Sequence, residues 1–154
     1  MELTARYVFP APAARVWDLL MDPQVIASCL PGSEKFESIG EDKYRVVLHA
    51  GIAAISGSFE GTVTLADKQP SVSYRLIVEG RGRAGFIKGE STLKLAEDPE
   101  GTSVEVAATA HVGGLIAQVG QRLLGATAKM TMDRFFRCML QKLPQSAGET
   151  ELHR

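Results

Sequence analysis

The residues able to do chemistry are few, and their spacing does not favour it. GRGRAG at 80–85 satisfies the pattern G-x-G-x-x-G. Such a loop holds a pyrophosphate only where a helix N-terminus follows it. Here GFIKGESTLKL at 85–95 follows instead and alternates like a strand, so the dinucleotide reading is rejected. Arg81, Arg83 and Lys88 make a local basic patch, which suits an anionic partner but is commoner on a solvated hairpin. His49, His111 and His153 show no metal-ligand spacing, and the first two fall on the polar side of their strands. Cys29 lies between apolar neighbours close to Pro31-Gly32 and reads as a buried, inert thiol. Cys29 and Cys138 are far apart and form no disulfide framework, so a reducing compartment is the simpler expectation. No pair of carboxylates stands on the apolar side of the strands. Tyr44 and Tyr74 are the only inward polar candidates.

The elements that position these residues follow from periodicity. Residues 2–9 are predicted as a strand closed by Pro10 and Pro12. Residues 12–20 are predicted as a short helix with Val16, Trp17 and Leu20 on one face. Asp22-Pro23 starts a second short helix, with Asp22 as its cap, and Pro31-Gly32 stops it. From Glu34 to Val112 the period is two: Tyr44, Val46 and Leu48, then Ile55, Phe59, Val63 and Leu65, then Tyr74, Leu76 and Val78 alternate with mostly polar residues. Turn signals at 40–42, 67–70 and 98–101, and a weaker one at 81–85, divide the run into a meander. Residues 115–143 are predicted as one helix of roughly 40 Å, ended before Pro144. One domain over 1–144 and a polar, disordered tail over 145–154 are expected.

Size and composition bound the rest. At 154 residues, 45% apolar and 23% charged, the chain has an ordinary core, and its net charge of −1 calls for no nucleic acid. The N-terminus lacks a basic region followed by an apolar run, so no signal peptide is expected. No run of 18 apolar residues predicts a transmembrane helix.

A sheet with one apolar face must cover it, and only the C-terminal helix is long enough. Six or seven strands are too wide for one helix unless the sheet curls around it. The apolar face also carries Gly57, Gly61, Gly80, Gly82, Gly85, Gly89 and Ser91. Glycines in strands permit bends and close approach, but so many on one face, opposite Gly120, Gly125, Ala126 and Ala128, also leave volume unfilled. The prediction is an α+β architecture with a mainly apolar pocket between helix and sheet. Its expected lining is Trp17, Leu48, Ile55, Gly57, Phe59, Gly61, Tyr74, Leu76, Val78, Ile87, Leu115, Val119 and Leu123. Met132, Phe135, Phe136, Met139 and Leu143 cluster on a second face of the helix, either as core or as surface for a partner or membrane.

The stretches FPAPAARVWDLLMDPQVIASCLPG at 9–32, GSFEGTVTL at 57–65, GFIKGESTLKL at 85–95 and VGGLIAQVGQRLL at 112–124 resemble the family of the carbon monoxide dehydrogenase G subunit. That family lies within the START-like, helix-grip superfamily of the birch-pollen allergens. The resemblance implies a non-catalytic accessory protein for a molybdenum hydroxylase of the carbon monoxide dehydrogenase type. It further implies a hydrophobic ligand, with respiratory quinone the leading candidate, no intrinsic cofactor, and a cytoplasmic location with peripheral contact at the inner membrane face. Gly57, Phe59, Gly61 and Gly113-Gly114 are carried over as pocket-shaping. Two other readings stand beside it: an assembly or membrane-recruitment factor acting through Phe135, Phe136 and Met139, and a polyketide cyclase-like enzyme using Tyr74.

Overall fold

The alternating segments pair in sequence order. A computed structural model describes residues 1–52 and 55–152. Its strands are β1 (Glu2–Phe9), β2 (Ser33–Gly40), β3 (Lys43–Ile52), β4 (Ile55–Gln69), β5 (Ser73–Gly82), β6 (Gly85–Asp98) and β7 (Gly101–Gly113). They form one seven-stranded antiparallel sheet in the order β1-β7-β6-β5-β4-β3-β2. The expected face is the dry one: Tyr44, Val46, Phe59, Val63, Leu65, Tyr74, Leu93, Leu95, Val104 and Val106 are all buried.

Between β1 and β2 stand α1 (Ala13–Met21) and α2 (Pro23–Cys29). Helix α1 buries Val16, Trp17 and Leu20, the face its spacing predicts. The Gln24 N–H donates to Asp22 Oδ1 at 2.9 Å, and Pro23 occupies the first turn, where its missing donor costs nothing.

The C-terminal helix departs from expectation. Leu115–Val119 is a separate 3-10 turn, and α3 runs Gln121–Leu152. Gly120 lies between them at φ +93°, in the left-handed region where a helix cannot continue. The break re-phases the face presented to the sheet. Ile116 and Leu124 are buried, whereas Leu115 and Leu123, expected to line the pocket, are 53% and 40% exposed. At the other end Pro144 lies inside the helix, although its removal of one donor was expected to end it. The backbone of the expected tail is thus helical to Leu152, and His153 lies outside the described residues.

The second half of α3 is core. Phe136, Met139 and Leu143 are buried, with Met132 and Phe135 partly so, against Tyr7, Phe9, α1 and α2. Phe136 stacks on Tyr7 at 4.3 Å, and the Tyr7 hydroxyl donates to Asp133 Oδ1 at 2.6 Å. The partner surface expected around Phe136 and Met139 is therefore spent on folding. The cysteine expectation is corrected too. Cys29 and Cys138 form a disulfide with a Cα–Cα distance of 5.4 Å, tying α2 to α3 across 109 residues of sequence. Spacing along the chain carries no trace of it, because helix packing creates the proximity. Such bridges are rare in reducing compartments, so the inference drawn from unpaired thiols loses its basis.

Candidate ligand-binding site

The sheet registers order the inner face into rungs. One runs Val46–Gly61–Gly80–Ile87–Val112 across β3 to β7. The next runs Val63–Val78–Gly89–Ala110, and the next Leu65–Leu76–Ser91–Ala108. Tyr74, Leu93 and Val106 form the rung beyond. Two apolar clusters flank this band. The larger holds Phe9, Trp17, Leu20, Tyr74, Leu93, Phe136 and Met139; the smaller holds Phe59, Ala84, Ile116 and Leu124. Val78, Gly80, Gly89, Ser91, Ala108 and Ala110 belong to neither and are only partly buried.

The helix spans this band more than it fills it. The backbone of α3 comes closest to the sheet at β1 and β3, while its Phe136 and Met139 side chains share a buried cluster with Tyr74 of β5 and Leu93 of β6. The 3-10 turn closes one end against β6 and β7, and α1 and α2 close the other. The result is an arch whose centre is walled by small residues.

The glycines divide into two kinds. At Gly61 an added Cβ would lie 1.7 Å from the Glu79 carbonyl oxygen, and at Gly82 it would lie 2.2 Å from that of Ser58. These two let β4 and β5 approach where the sheet bends. At Gly57 nothing lies within 4 Å, at Gly80 only Phe59 Cβ at 3.9 Å, and at Gly89 the nearest atom is Thr109 O at 3.6 Å. A Cβ would fit at these three positions, so no backbone contact forces glycine there.

Comparison with known families matches residues 8–144 to the family model of the carbon monoxide dehydrogenase G subunit, CoxG. The chain belongs to the CoxG family. Among solved structures it is similar to a conserved protein of Geobacillus kaustophilus, at 33% identity and a TM-score of 0.90, covering 95% of this chain and 97% of that one. It also shares the fold of Ara h 8.0201 at 12% identity and a TM-score of 0.70, covering 94% and 98% of the two chains. The di-domain ARO/CYC StfQ of the steffimycin biosynthetic pathway gives 9% identity and a TM-score of 0.67, covering 96% of this chain and 52% of that one. No curated protein sequence matches. The helix-grip, START-like architecture expected from the resemblance is therefore present in this CoxG-family chain.

Within that family frame the predicted site residues separate. Gly57, Leu48, Ile55, Leu76, Val78, Ile87 and Val119 are partly buried. Phe59 is buried in the smaller cluster, and Trp17 is buried edge-on to Tyr74 at 5.5 Å between ring centres. Gly113 was carried over as pocket-shaping, but its missing Cβ would strike the Phe86 ring, itself 44% exposed on the outer face. Gly114 is required by its φ of +82°. The expected lining leaves out Gly80, Gly89 and Ser91, named above only as small residues of that face, and Ala108 and Ala110. Their signal was present, since all share the inward phase of the alternation.

The wall offers hydroxyls and hydrocarbon. From the rung of Val46 to that of Leu93 the inward positions among the described residues carry no carboxylate, imidazole or amine, and Glu97, in the same phase at the end of β6, is exposed. Also among the described residues, no group of three or more His, Cys, Asp or Glu is placed to hold a metal. His49 and His111 are exposed, as predicted. Arg81 and Arg83 are exposed, and Lys88 pairs loosely with Glu79 at 3.8 Å. Burial pushes the Tyr74 phenol well above its usual range. Tyr7 is raised first by burial and then by its bond to Asp133, whose carboxyl is in turn lowered by hydrogen bonds from Lys129 and Tyr7. Two clefts of about 670 and 280 Å³ open on the convex face instead. Their walls include Arg6, Lys94 and Glu105 in one and Glu60, Arg81 and Lys88 in the other, which suits solvent better than a hydrophobic ligand. No described helix is long and apolar enough to cross a membrane.

Proposed function

We propose that this chain is a non-catalytic carrier of a hydrophobic ligand, of the respiratory quinone class, serving a molybdenum hydroxylase of the carbon monoxide dehydrogenase type. One observation carries the reading: α3 approaches the sheet at β1 and β3, and the inward positions of the strands between include Gly80, Gly89, Ser91, Ala108 and Ala110 beside Leu76, Val78 and Ile87. An unfilled apolar face of that kind is a free-energy cost in water and a gain once a greasy molecule covers it. The lack of inward acids or bases in these rungs favours holding over turnover. Family membership supplies the partner enzyme. A peripheral place against the membrane belongs to the same proposal.

Extraction of the purified full chain with organic solvent, followed by mass spectrometry, is expected to release a neutral isoprenoid or similar lipid. A blank extract, together with no binding of added menadione, overturns the carrier reading.

A second reading has its own observation. Leu115, Leu123 and Met130 are 53%, 40% and 57% exposed on the 3-10 turn and the first half of α3. They favour a recruitment surface at the mouth of the arch, replacing the buried Phe136 face. Leu123→Glu and Met130→Glu in a folded chain would then abolish vesicle or partner binding while sparing menadione binding.

A further inference from the structure

We infer that the ligand presents a hydrogen-bond acceptor, and that the hydroxyls of Tyr74 and Ser91 receive it. This rests on the reading that the arch holds a hydrophobic ligand, and it names the polar end of that ligand.

Tyr74 stands on the inner face of β5, the middle of the sheet, and is 3% exposed. Its ring is pinned edge-on by Trp17. Three other buried or part-buried hydroxyls have partners, whereas that of Tyr44, 7% exposed, has none among the described residues. Thr102 donates to the Ala11 carbonyl at 2.8 Å, Ser103 to that of Ala96 at 3.4 Å, and Tyr7 to Asp133 at 2.6 Å. The Tyr74 hydroxyl has none among the described residues, and its shifted phenol feels burial alone. Yet no fully enclosed side-chain oxygen or nitrogen among those residues lacks a partner. The hydroxyl oxygen therefore keeps a small accessible surface, on a side chain in the inward phase of β5, one rung from Leu76 and Ser91.

Ser91 is its neighbour there. Tyr74 pairs with Leu93, and Ser91 lies two residues along β6, opposite Leu76. Such diagonal neighbours are roughly 7–8 Å apart. Ser91 is partly buried and its side chain also makes no hydrogen bond among the described residues. Two unpartnered donors thus stand in the inward phase of adjacent strands, with Val78, Gly89, Ala108 and Ala110 in the neighbouring rungs.

The chemistry of the occupant follows. A donor in a dry wall is satisfied by an acceptor, and a carbonyl oxygen is the compact neutral choice. A carboxylate or phosphate would be buried with no inward cation in these rungs, and an ammonium with no inward anion, both at high desolvation cost. The occupant is a neutral molecule with an apolar body over the glycine–alanine band and a carbonyl directed at Tyr74. Burial keeps the phenol protonated at every pH of interest, so the donor is permanent.

The test compares menadione with dimethylnaphthalene, in which methyl groups stand in for the two carbonyl oxygens on the same ring system. Both are titrated calorimetrically into the full chain and into Tyr74→Phe and Ser91→Ala. Wild type is expected to prefer menadione. Tyr74→Phe should lose roughly two- to tenfold in menadione affinity, leave dimethylnaphthalene unchanged, and melt no lower than wild type, since the hydroxyl has no partner in the empty protein. Ser91→Ala should show a smaller loss with the same selectivity. The menadione carbonyl stretch should shift to lower frequency on binding wild type and less so on binding Tyr74→Phe. Equal loss for both probes, or no loss for menadione, overturns the inference and leaves the carrier reading standing. Failure of both probes to bind wild type overturns both.

Discussion

Gly89 is the place where unfilled space can be tested without disturbing the sheet. A Cβ built there meets Thr109 O at 3.6 Å and Ala110 Cβ at 3.9 Å, both ordinary contacts. Gly89 lies between Val78 and Ala110 in the middle of the arch. Replacing it by leucine removes a flexible residue from a strand, which is worth about 0.5–1 kcal/mol. The melting temperature of Gly89→Leu should therefore rise by roughly 1–4 °C. A ligand must then share the band with an isobutyl group. Forcing extra methylenes into an occupied apolar space costs about 1–3 kcal/mol, or roughly 5- to 150-fold in Kd. Scanning fluorimetry gives the first number and calorimetric titration with menadione the second, with Gly89→Ala expected between wild type and Gly89→Leu. A variant that unfolds would show that the space beside Gly89 is already occupied. A variant that binds menadione as wild type does would place the ligand elsewhere. Either result refutes the arch as the site.

Gly61→Ala should behave in the opposite way: its Cβ lies 1.7 Å from the Glu79 carbonyl oxygen, and thermal unfolding followed by circular dichroism should show a loss of about 3 kcal/mol or more. Reduction of the Cys29–Cys138 bridge, or Cys138→Ser, releases a loop of 109 residues and should cost about 2–4 kcal/mol; an unchanged melting temperature with and without reductant would contradict the bridge. Alkaline pH should destabilise the fold through Tyr74. Its folded phenol titrates above the unfolded value near 10, so beyond that pH the unfolded chain sheds a proton the folded chain keeps, and stability falls by about 1.4 kcal/mol per pH unit. Tyr74→Phe should flatten that slope in denaturant titrations between roughly pH 10 and 11.5.

The strands were legible because period-two burial is a local property. Val63 and Leu65 against Thr62 and Thr64 need no knowledge of what lies above the sheet. The start of α2 was legible for the same reason, since Asp22 and Pro23 act on backbone groups one or two residues away. The phase of the long helix was not. Apolar residues recur through 115–124, and only the positive φ at Gly120 decides that Ile116 and Leu124 turn inward while Leu115 and Leu123 turn out. The seven small residues on the apolar face posed a similar problem. Composition cannot separate Gly61, which a neighbouring carbonyl forces, from Gly89, which nothing forces; that difference lies in an adjacent strand. Cys29 and Cys138 meet only because α2 and α3 pack together, a fact of tertiary structure with no local trace.

The pairing of β1 with β7 sets a timetable for biosynthesis. Glu2 pairs across to Thr109, so the first strand made waits for nearly the last. At about 5–20 residues per second, that wait is on the order of 5–20 s. For all of it the apolar side of Tyr7 and Phe9, and of Val16, Trp17 and Leu20, has neither β7 nor α3 to rest on. The meander from β2 to β6 can zip hairpin by hairpin as it emerges, since each of those strands pairs with the next. The nascent chain thus carries a half-built sheet whose β1 and α1 stay uncovered until β7 and α3 have emerged.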